Sequence, residues 1–206
     1  MTQSRTVVIT EASSPVALAT AARLAAGGDL VLMGGRTTQM CEEFAARLRS
    51  GGGAVFAAHL DLADVPSVDQ FVETTHYLVG VPDVLVSAAG LADGSWVGAQ
   101  HLVAQLVPPM IDNGHGDVVL LSPELVGSSP AGGHRMLDAW ARGLDAEFIG
   151  TGVRASIVRS TGQVPADDVS CLIAAAISSS ERMHLRVIDV IPPVPAPTLA
   201  QERRAR

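Results

Sequence analysis

Short apolar, β-branched runs alternate with longer amphipathic stretches almost to the end of the chain. Thr6–Thr10, Leu30–Met33, Ala54–Leu60, Val84–Ser87, Val118–Leu121, Val153–Val158 and Leu185–Ile191 read as strands. Pro15–Ala26, Thr38–Arg49, Val65–Leu78, Trp96–Ile111, Arg135–Ile149 and Ala166–Ser180 read as helices between them. Strands joined through helices by short connections predict an α/β chain with a doubly wound parallel sheet of about seven strands, covered on both faces in three layers. Gly27-Gly28, Gly51-Gly52-Gly53 and Gly150-Thr151-Gly152 follow helices and suit the left-handed position past a helix end. The alternation predicts one domain over residues 1–191, and the Pro-rich, basic segment 192–206 reads as a tail.

Composition narrows the function classes. With 206 residues, 48% hydrophobic and 17% charged, the chain is long and apolar enough to bury a sizeable core. A net charge of −7 argues against a nucleic-acid or anionic-membrane surface. No apolar run reaches membrane-spanning length, and Met1–Arg5 is polar, unlike a signal peptide. Cys41 and Cys171 form no CxxC pair, and the histidines show no ligand spacing. These features predict a reduced, cytoplasmic protein without a metal.

The segment Thr6–Ala17, TVVITEASSPVA, carries the sharpest chemical information. It joins a strand to a helix, the place where a dinucleotide fold cradles its pyrophosphate on a glycine-rich turn. Glycine serves there because the backbone turns through positive φ and comes close to the phosphates. This chain offers Glu11, Pro15 and Ala17 instead.

Taken in order along the chain, these motifs resemble the short-chain dehydrogenase/reductase family over nearly its whole length, which implies a Rossmann-like fold. The family's turn, Thr-Gly-x-x-x-Gly-x-Gly, falls on Thr10 to Ala17. Arg36 matches the basic residue that NADP-preferring members use for the 2′-phosphate, and Asp61 the acid that contacts adenine. Asp83-Val84-Leu85-Val86-Ser87-Ala88-Ala89-Gly90 resembles the Asp-x-Leu-Val-Asn-Asn-Ala-Gly strand end with both asparagines gone. The resemblance makes Thr10, Ser13, Ser14, Arg36, Asp61, Ala89 and Gly90 the candidate cofactor residues.

The family's chemistry rests on Asn, Ser, Tyr and Lys. Alignment through Pro108 and Met110 places Ser95 at the Asn position and leaves Gly98 in its place. Alignment through Val118–Leu121 places Pro123 at the Ser position, just after Ser122. Counting back from Leu137, Trp140 and Glu147 places His134 at the Lys position and Pro130 at the Tyr position. A shifted register puts His134 at the Tyr position and Asp138 at the Lys position. Proline has neither a proton to give nor an amide to donate. Residues 113–150 hold no lysine, and the single tyrosine, Tyr77, falls in the third helix, where packing is its expected role. The connections around Leu91–Gly94 and Gly162–Pro165 are also shorter than the family's, which implies a truncated substrate lid.

Two like charges about 5 Å apart at an effective dielectric near 20 repel by roughly 3 kcal/mol, about a hundredfold in affinity. On that estimate Glu11 opposes a pyrophosphate unless it points outward or pairs with an arginine such as Arg36, and no cofactor is expected, with NADP as the alternative that Arg36 keeps open. The leading reading is a family member with degenerate cofactor and catalytic sites. It would act as a binding protein or as a subunit of a homo-oligomer or of a hetero-oligomer with an active paralogue, with Trp140 and the stripe Met136, Leu137, Ala141, Leu144 and Phe148 as a contact face. A non-redox biosynthetic enzyme (dehydratase, cyclase or isomerase) using Ser122 and His134 is the second reading. An NADP-dependent carbonyl reductase with unusual catalytic residues is the third. Asp61 has a plainer alternative as the cap of the next helix.

Overall fold

The computed structural model describes residues 4–88, 95–122, 130–160, 164–179 and 183–191, with the side chains of 130–134 outside that description. Strands β1 (Thr6–Ile9), β2 (Leu30–Gly35), β3 (Ala54–His59), β4 (Val84–Ala88), β5 (Gly116–Ser122), β6 (Val153–Ser160) and β7 (Val187–Val190) form one sheet. Helices α1 (Pro15–Ala26), α2 (Thr38–Ser50), α3 (Val65–Leu78), α4 (Ser95–Asp112), α5 (Pro130–Glu147) and α6 (Ala166–Ile177) connect them. The strand order is β3-β2-β1-β4-β5-β6-β7, and every pairing is parallel. This is the three-layer, doubly wound α/β fold that the alternation predicts.

Because side chains alternate across a strand, the central strands feed two separate cores. Val8, Leu85, Val118, Leu120 and Ile157 face the layer of α3, α4 and α5, where Phe71, Leu102, Leu106, Leu137 and Leu144 cover them. Val7, Ile9, Val86, Val119 and Val158 face α1, α2 and α6, meeting Ala17, Ala21, Ala45, Val169 and Ile173. Alanine dominates the α1 contact, so that helix lies close on the sheet.

Most boundaries differ from the sequence reading by one to five residues, among them those of β2, α5 and β7. β2 runs through Gly34 and Gly35, which pair with Ala58 and His59 of β3, and a Cβ at Gly34 would stand 2.8 Å from the Leu60 and Phe71 side chains and one at Gly35 2.9 Å from Cys41 Sγ. These glycines are strand residues imposed by packing rather than a turn. α5 begins at Pro130, five residues before the expected Arg135, with proline at the first helical position, where its missing N–H costs nothing. β7 is limited to Val187–Val190.

Candidate functional site

The strand order reverses between β1 and β4, and the carboxyl ends of these strands open the crevice in which such sheets bind ligands. Thr10 is fully buried at the end of β1 and fixes that crevice to β4. Its Oγ1 accepts the Ala88 N–H at 3.0 Å and donates to the Ala88 carbonyl at 3.4 Å. The chain then turns: the Ala12 N–H donates to the Gly34 carbonyl at 3.0 Å, and the Ser14 N–H to the Glu11 carbonyl at 2.8 Å.

Glu11 sits in this turn with φ 54°, the one non-glycine residue at positive φ among the described residues. A side chain in the left-handed region costs about 1–2 kcal/mol. The backbone has therefore kept the glycine conformation although the residue is glutamate. Ser13 is exposed and Ser14 half-buried, and Ser14 precedes α1 without a side-chain cap to that helix. Pro15 takes its first position, and no acidic residue lies in its first turn. Ala17, fully buried against the sheet, packs where the resemblance places the third glycine.

Arg36 follows β2, about half exposed, and its Nε meets Asp61 Oδ1 at 2.9 Å. Asp61 Oδ1 also accepts the Ala63 N–H at 2.9 Å, while the Asp61 N–H donates to Ser67 Oγ at 2.9 Å. Asp61 therefore braces the β3–α3 turn and engages Arg36. It is not the helix cap of the plainer reading, since Asp64 holds that position. His59 Nδ1 stands 3.3 Å from Thr38 Oγ1 at the same edge. A 2′-phosphate would compete with Asp61 for the Arg36 guanidinium.

The crevice continues past β4 to β5 and β6. Ser95 is fully buried at the start of α4. One turn on, Gly98 lets α4 approach the chain after β3 so closely that a Cβ there would lie 1.9 Å from the Leu62 carbonyl oxygen. Ser87, at the position of the family's first asparagine, is 2% exposed, and its hydroxyl has no hydrogen-bond partner. An asparagine would reach further than this shorter side chain. Ser122 ends β5, 8% exposed, and pairs in register with Arg159 of β6. The Arg159 guanidinium joins Asp138 of α5 at 2.5 Å and Asp189 of β7 at 3.1 Å, while its Nε is buried without a partner.

The structure thus brings Thr10, Glu11, Arg36 and Asp61 to one stretch of the sheet's carboxyl edge, and Ser122, Asp138 and Arg159 to another. Ala89, Gly90 and Pro123 lie outside the described residues, as do both shortened connections and the side chains of Pro130 and His134. Tyr77 is 88% exposed on α3, so the packing role read from the sequence is corrected: the helix turns it to solvent. Met136 is likewise exposed, whereas Leu137, Ala141, Leu144 and Phe148 of its stripe are buried. Trp140 meets Trp96 edge to face, with ring centroids 5.0 Å apart.

The sequence reading missed Arg159, although a charge ending the apolar run Val153–Val158 marks it. It also stopped short of the fuller inventory: the whole chain contains no lysine. A guanidinium held by two carboxylates cannot substitute, because it does not release its proton near neutral pH. Elsewhere, burial pushes the Cys41 thiol up, and both cysteines are free. Among the described residues no helix is long and apolar enough to cross a membrane, and no group of three His, Cys, Asp or Glu is placed to hold a metal.

Comparison with known proteins gives a consistent picture. The model of the family described as short chain dehydrogenase matches residues 5–132. The fatty acyl-CoA reductase of Acinetobacter baylyi is 28% identical over 174 residues, covering 71% of this chain and 58% of that protein. A monensin polyketide synthase putative ketoacyl reductase of Streptomyces virginiae is 41% identical over 96 residues, 46% of this chain and 37% of the relative. The chain therefore spans 58% and 37% of these two relatives' own lengths. A metagenomic short-chain oxidoreductase solved in complex with NADP superposes with a TM-score of 0.79 at 20% identity, over 93% of this chain and 98% of that one, a likeness of fold.

Proposed function

The chain belongs to the short chain dehydrogenase family, and from that premise we propose that it is a non-redox member whose carboxyl-edge crevice serves for binding. In this reading it holds a small ligand or acts as a subunit beside an active paralogue or a second copy of itself. The observation that carries the reading is the inventory of proton-transfer groups. There is no lysine, the single tyrosine faces solvent on α3, and the cation at the end of β6 is an arginine locked by Asp138 and Asp189. Carbonyl reduction needs a proton donor whose pKa lies near the working pH and that reaches the substrate oxygen. Neither Tyr77 nor Arg159 meets both conditions, which leaves His134, whose side chain lies outside the described residues, as the one imidazole the alignment brings to this site. For the subunit role, support comes from the groove of about 570 Å³ between α4 and α5, whose lining includes Val103, Val107, Ile111, Trp140 and Phe148.

NADP is the cofactor the fold implies, and the residues present do not fit it well. The turn that would meet the pyrophosphate carries a carboxylate at Glu11, and Arg36 is already engaged by Asp61. The test is NADPH and NADH consumption by the purified protein with aldehydes, ketones and a β-ketoacyl thioester. The last is included because the relatives' names include a ketoacyl reductase. No turnover above the protein-free rate is expected. Steady NADPH oxidation, abolished by Arg36→Ala, would overturn the reading and make the protein an NADP-dependent reductase.

A second reading, a non-redox enzyme using Ser122 and His134, gains from one observation. Asp138 lies one helical turn after His134 on α5 and is anchored through Arg159 beside Ser122. An acid one turn along the same helix is the third part that a nucleophile–base arrangement with His134 would call for. His134→Ala and Ser122→Ala variants that fold normally and keep any discovered activity would remove this reading.

A further inference from the structure

The turn between β1 and α1 keeps the backbone shape of a dinucleotide site and carries a carboxylate at residue 11. The shape is present in three observations. Glu11 holds the left-handed conformation that glycine is used for, at φ 54°. The turn is pinned on both sides, by Ala12 to Gly34 and by Thr10 to Ala88. The following helix begins with no side-chain cap from Ser14 and no acidic residue in its first turn. In such a helix the amides of Val16 and Ala17 have no carbonyl one turn back to receive them, and the dipole there favours an anion. Pro15 removes one further amide, but at the first position that N–H is the one a helix most readily does without.

Residue 11 brings a carboxylate into this turn where glycine would bring no side chain. We propose that Glu11 is an electrostatic and steric gate on a turn that keeps its dinucleotide-binding backbone shape, so that this residue sets whether the crevice accepts a pyrophosphate. The proposal rests on the non-redox reading only in expecting the wild-type protein to lack NADPH binding. It adds that the cause is one carboxylate rather than a collapsed site. A carboxylate about 5 Å from a pyrophosphate in surroundings of effective dielectric near 20 weakens binding by roughly a hundredfold. Removing it also hands the turn back to glycine, which adopts positive φ without a Cβ penalty and clears the path along the backbone.

Arg36 then decides which dinucleotide benefits. It stands after β2, half exposed, and its Nε shares Asp61 with the Ala63 amide. A 2′-phosphate can draw the guanidinium from Asp61, which keeps the Ala63 N–H as a partner. NADH has no such group to offer. The reopened site therefore prefers NADPH.

The experiment is a titration of the wild type, Glu11→Gln, Glu11→Gly and Glu11→Gly/Arg36→Ala proteins with NADPH and NADH. Nicotinamide fluorescence and thermal shift report binding, and circular dichroism confirms that each variant folds. The wild type should not saturate at millimolar NADPH. Glu11→Gly should bind at least about a hundredfold more tightly, with Glu11→Gln between them, since it removes the charge and keeps the bulk. The Arg36→Ala addition should erase the preference for NADPH. A wild type that binds NADPH as tightly as Glu11→Gly overturns the gate, and so does a Glu11→Gly protein that binds no better than wild type. The non-redox reading is judged separately, by turnover: a wild type that binds NADPH without oxidising it sinks the gate and leaves that reading standing.

Discussion

Gly98 offers the most quantitative test of how the crevice is built, because a methyl group there has nowhere to go. A Cβ at this position stands 1.9 Å from the Leu62 carbonyl oxygen, 2.7 Å from its carbon and 3.0 Å from its Cα. All three are backbone atoms, so no rotamer change relieves the clash. An ordinary carbon–oxygen approach is about 3.3 Å, so α4 must withdraw by more than about 1 Å along that line. Ala99 and Leu102 of α4 and Leu62 beneath it are at most 1% exposed. A radial gap of about 0.5–1 Å forfeits a quarter to a half of each contact's attraction. Overpacking of this kind costs about 1–3 kcal/mol and occasionally more, and the backbone origin of the clash places Gly98→Ala near about 3 kcal/mol. The control is the same substitution at Gly143, inside α5, where a Cβ meets nothing within 4 Å. There alanine gains roughly 0.8–1 kcal/mol of helix propensity. Urea unfolding at constant slope should therefore move the two midpoints in opposite directions. A Gly98→Ala protein within about 1 kcal/mol of wild type would refute the reasoning, and so would a Gly143→Ala protein that loses stability.

Three further outcomes are expected. Ser87→Ala should raise stability by about 1 kcal/mol, because it removes a buried hydroxyl with no partner; a lower melting temperature would mean that the hydroxyl is satisfied. Asp138→Ala and Arg159→Met should couple by about 1 kcal/mol in a double-mutant cycle of chemical denaturation, the pair being partly exposed; additive effects would show that Asp189 alone holds the arginine. On the α3–α4 surface, hydrogen bonds from His101 and then Gln105 hold the Asp69 carboxyl below the ordinary aspartate range. A pKa lowered in the folded state gives stability that is present at neutral pH and lost as the pH falls through the folded value. His101→Ala should accordingly raise the Asp69 pKa in an NMR titration, and an unchanged value would dismiss the contact.

The parts of this molecule that were legible in its sequence are those that burial dictates. A strand covered on both faces has to be apolar throughout, so Val84–Ser87 and Val118–Leu121 announce themselves, and the helices between them require a parallel sheet. Legibility fails where a residue's meaning depends on distant partners. Gly34 and Gly35 look like a break until Phe71 and Cys41 are seen filling the space of their missing side chains. Pro130 looks like a loop residue until it opens a helix. Arg159 gains its place only when β5, α5 and β7 bring Ser122, Asp138 and Asp189 around it.

Glu11 shows how a turn can keep its backbone shape without glycine. The sequence declares the charge of residue 11 but not its φ, because that conformation is imposed from outside the turn. The Ala12 and Ser14 amides and the Thr10 hydroxyl tie the chain to β2, to itself and to β4. Hydrogen bonds in proteins contribute about 1 kcal/mol each, so three or four together outweigh the 1–2 kcal/mol that a side chain pays in the left-handed region. The sheet therefore keeps bending the backbone as a glycine would, whatever residue stands there. On the gate proposed for Glu11, glutamate leaves the turn's fold in place and weakens pyrophosphate binding by about a hundredfold. On that proposal fold and cofactor binding are separable at this position, and the Glu11→Gly titration measures by how much.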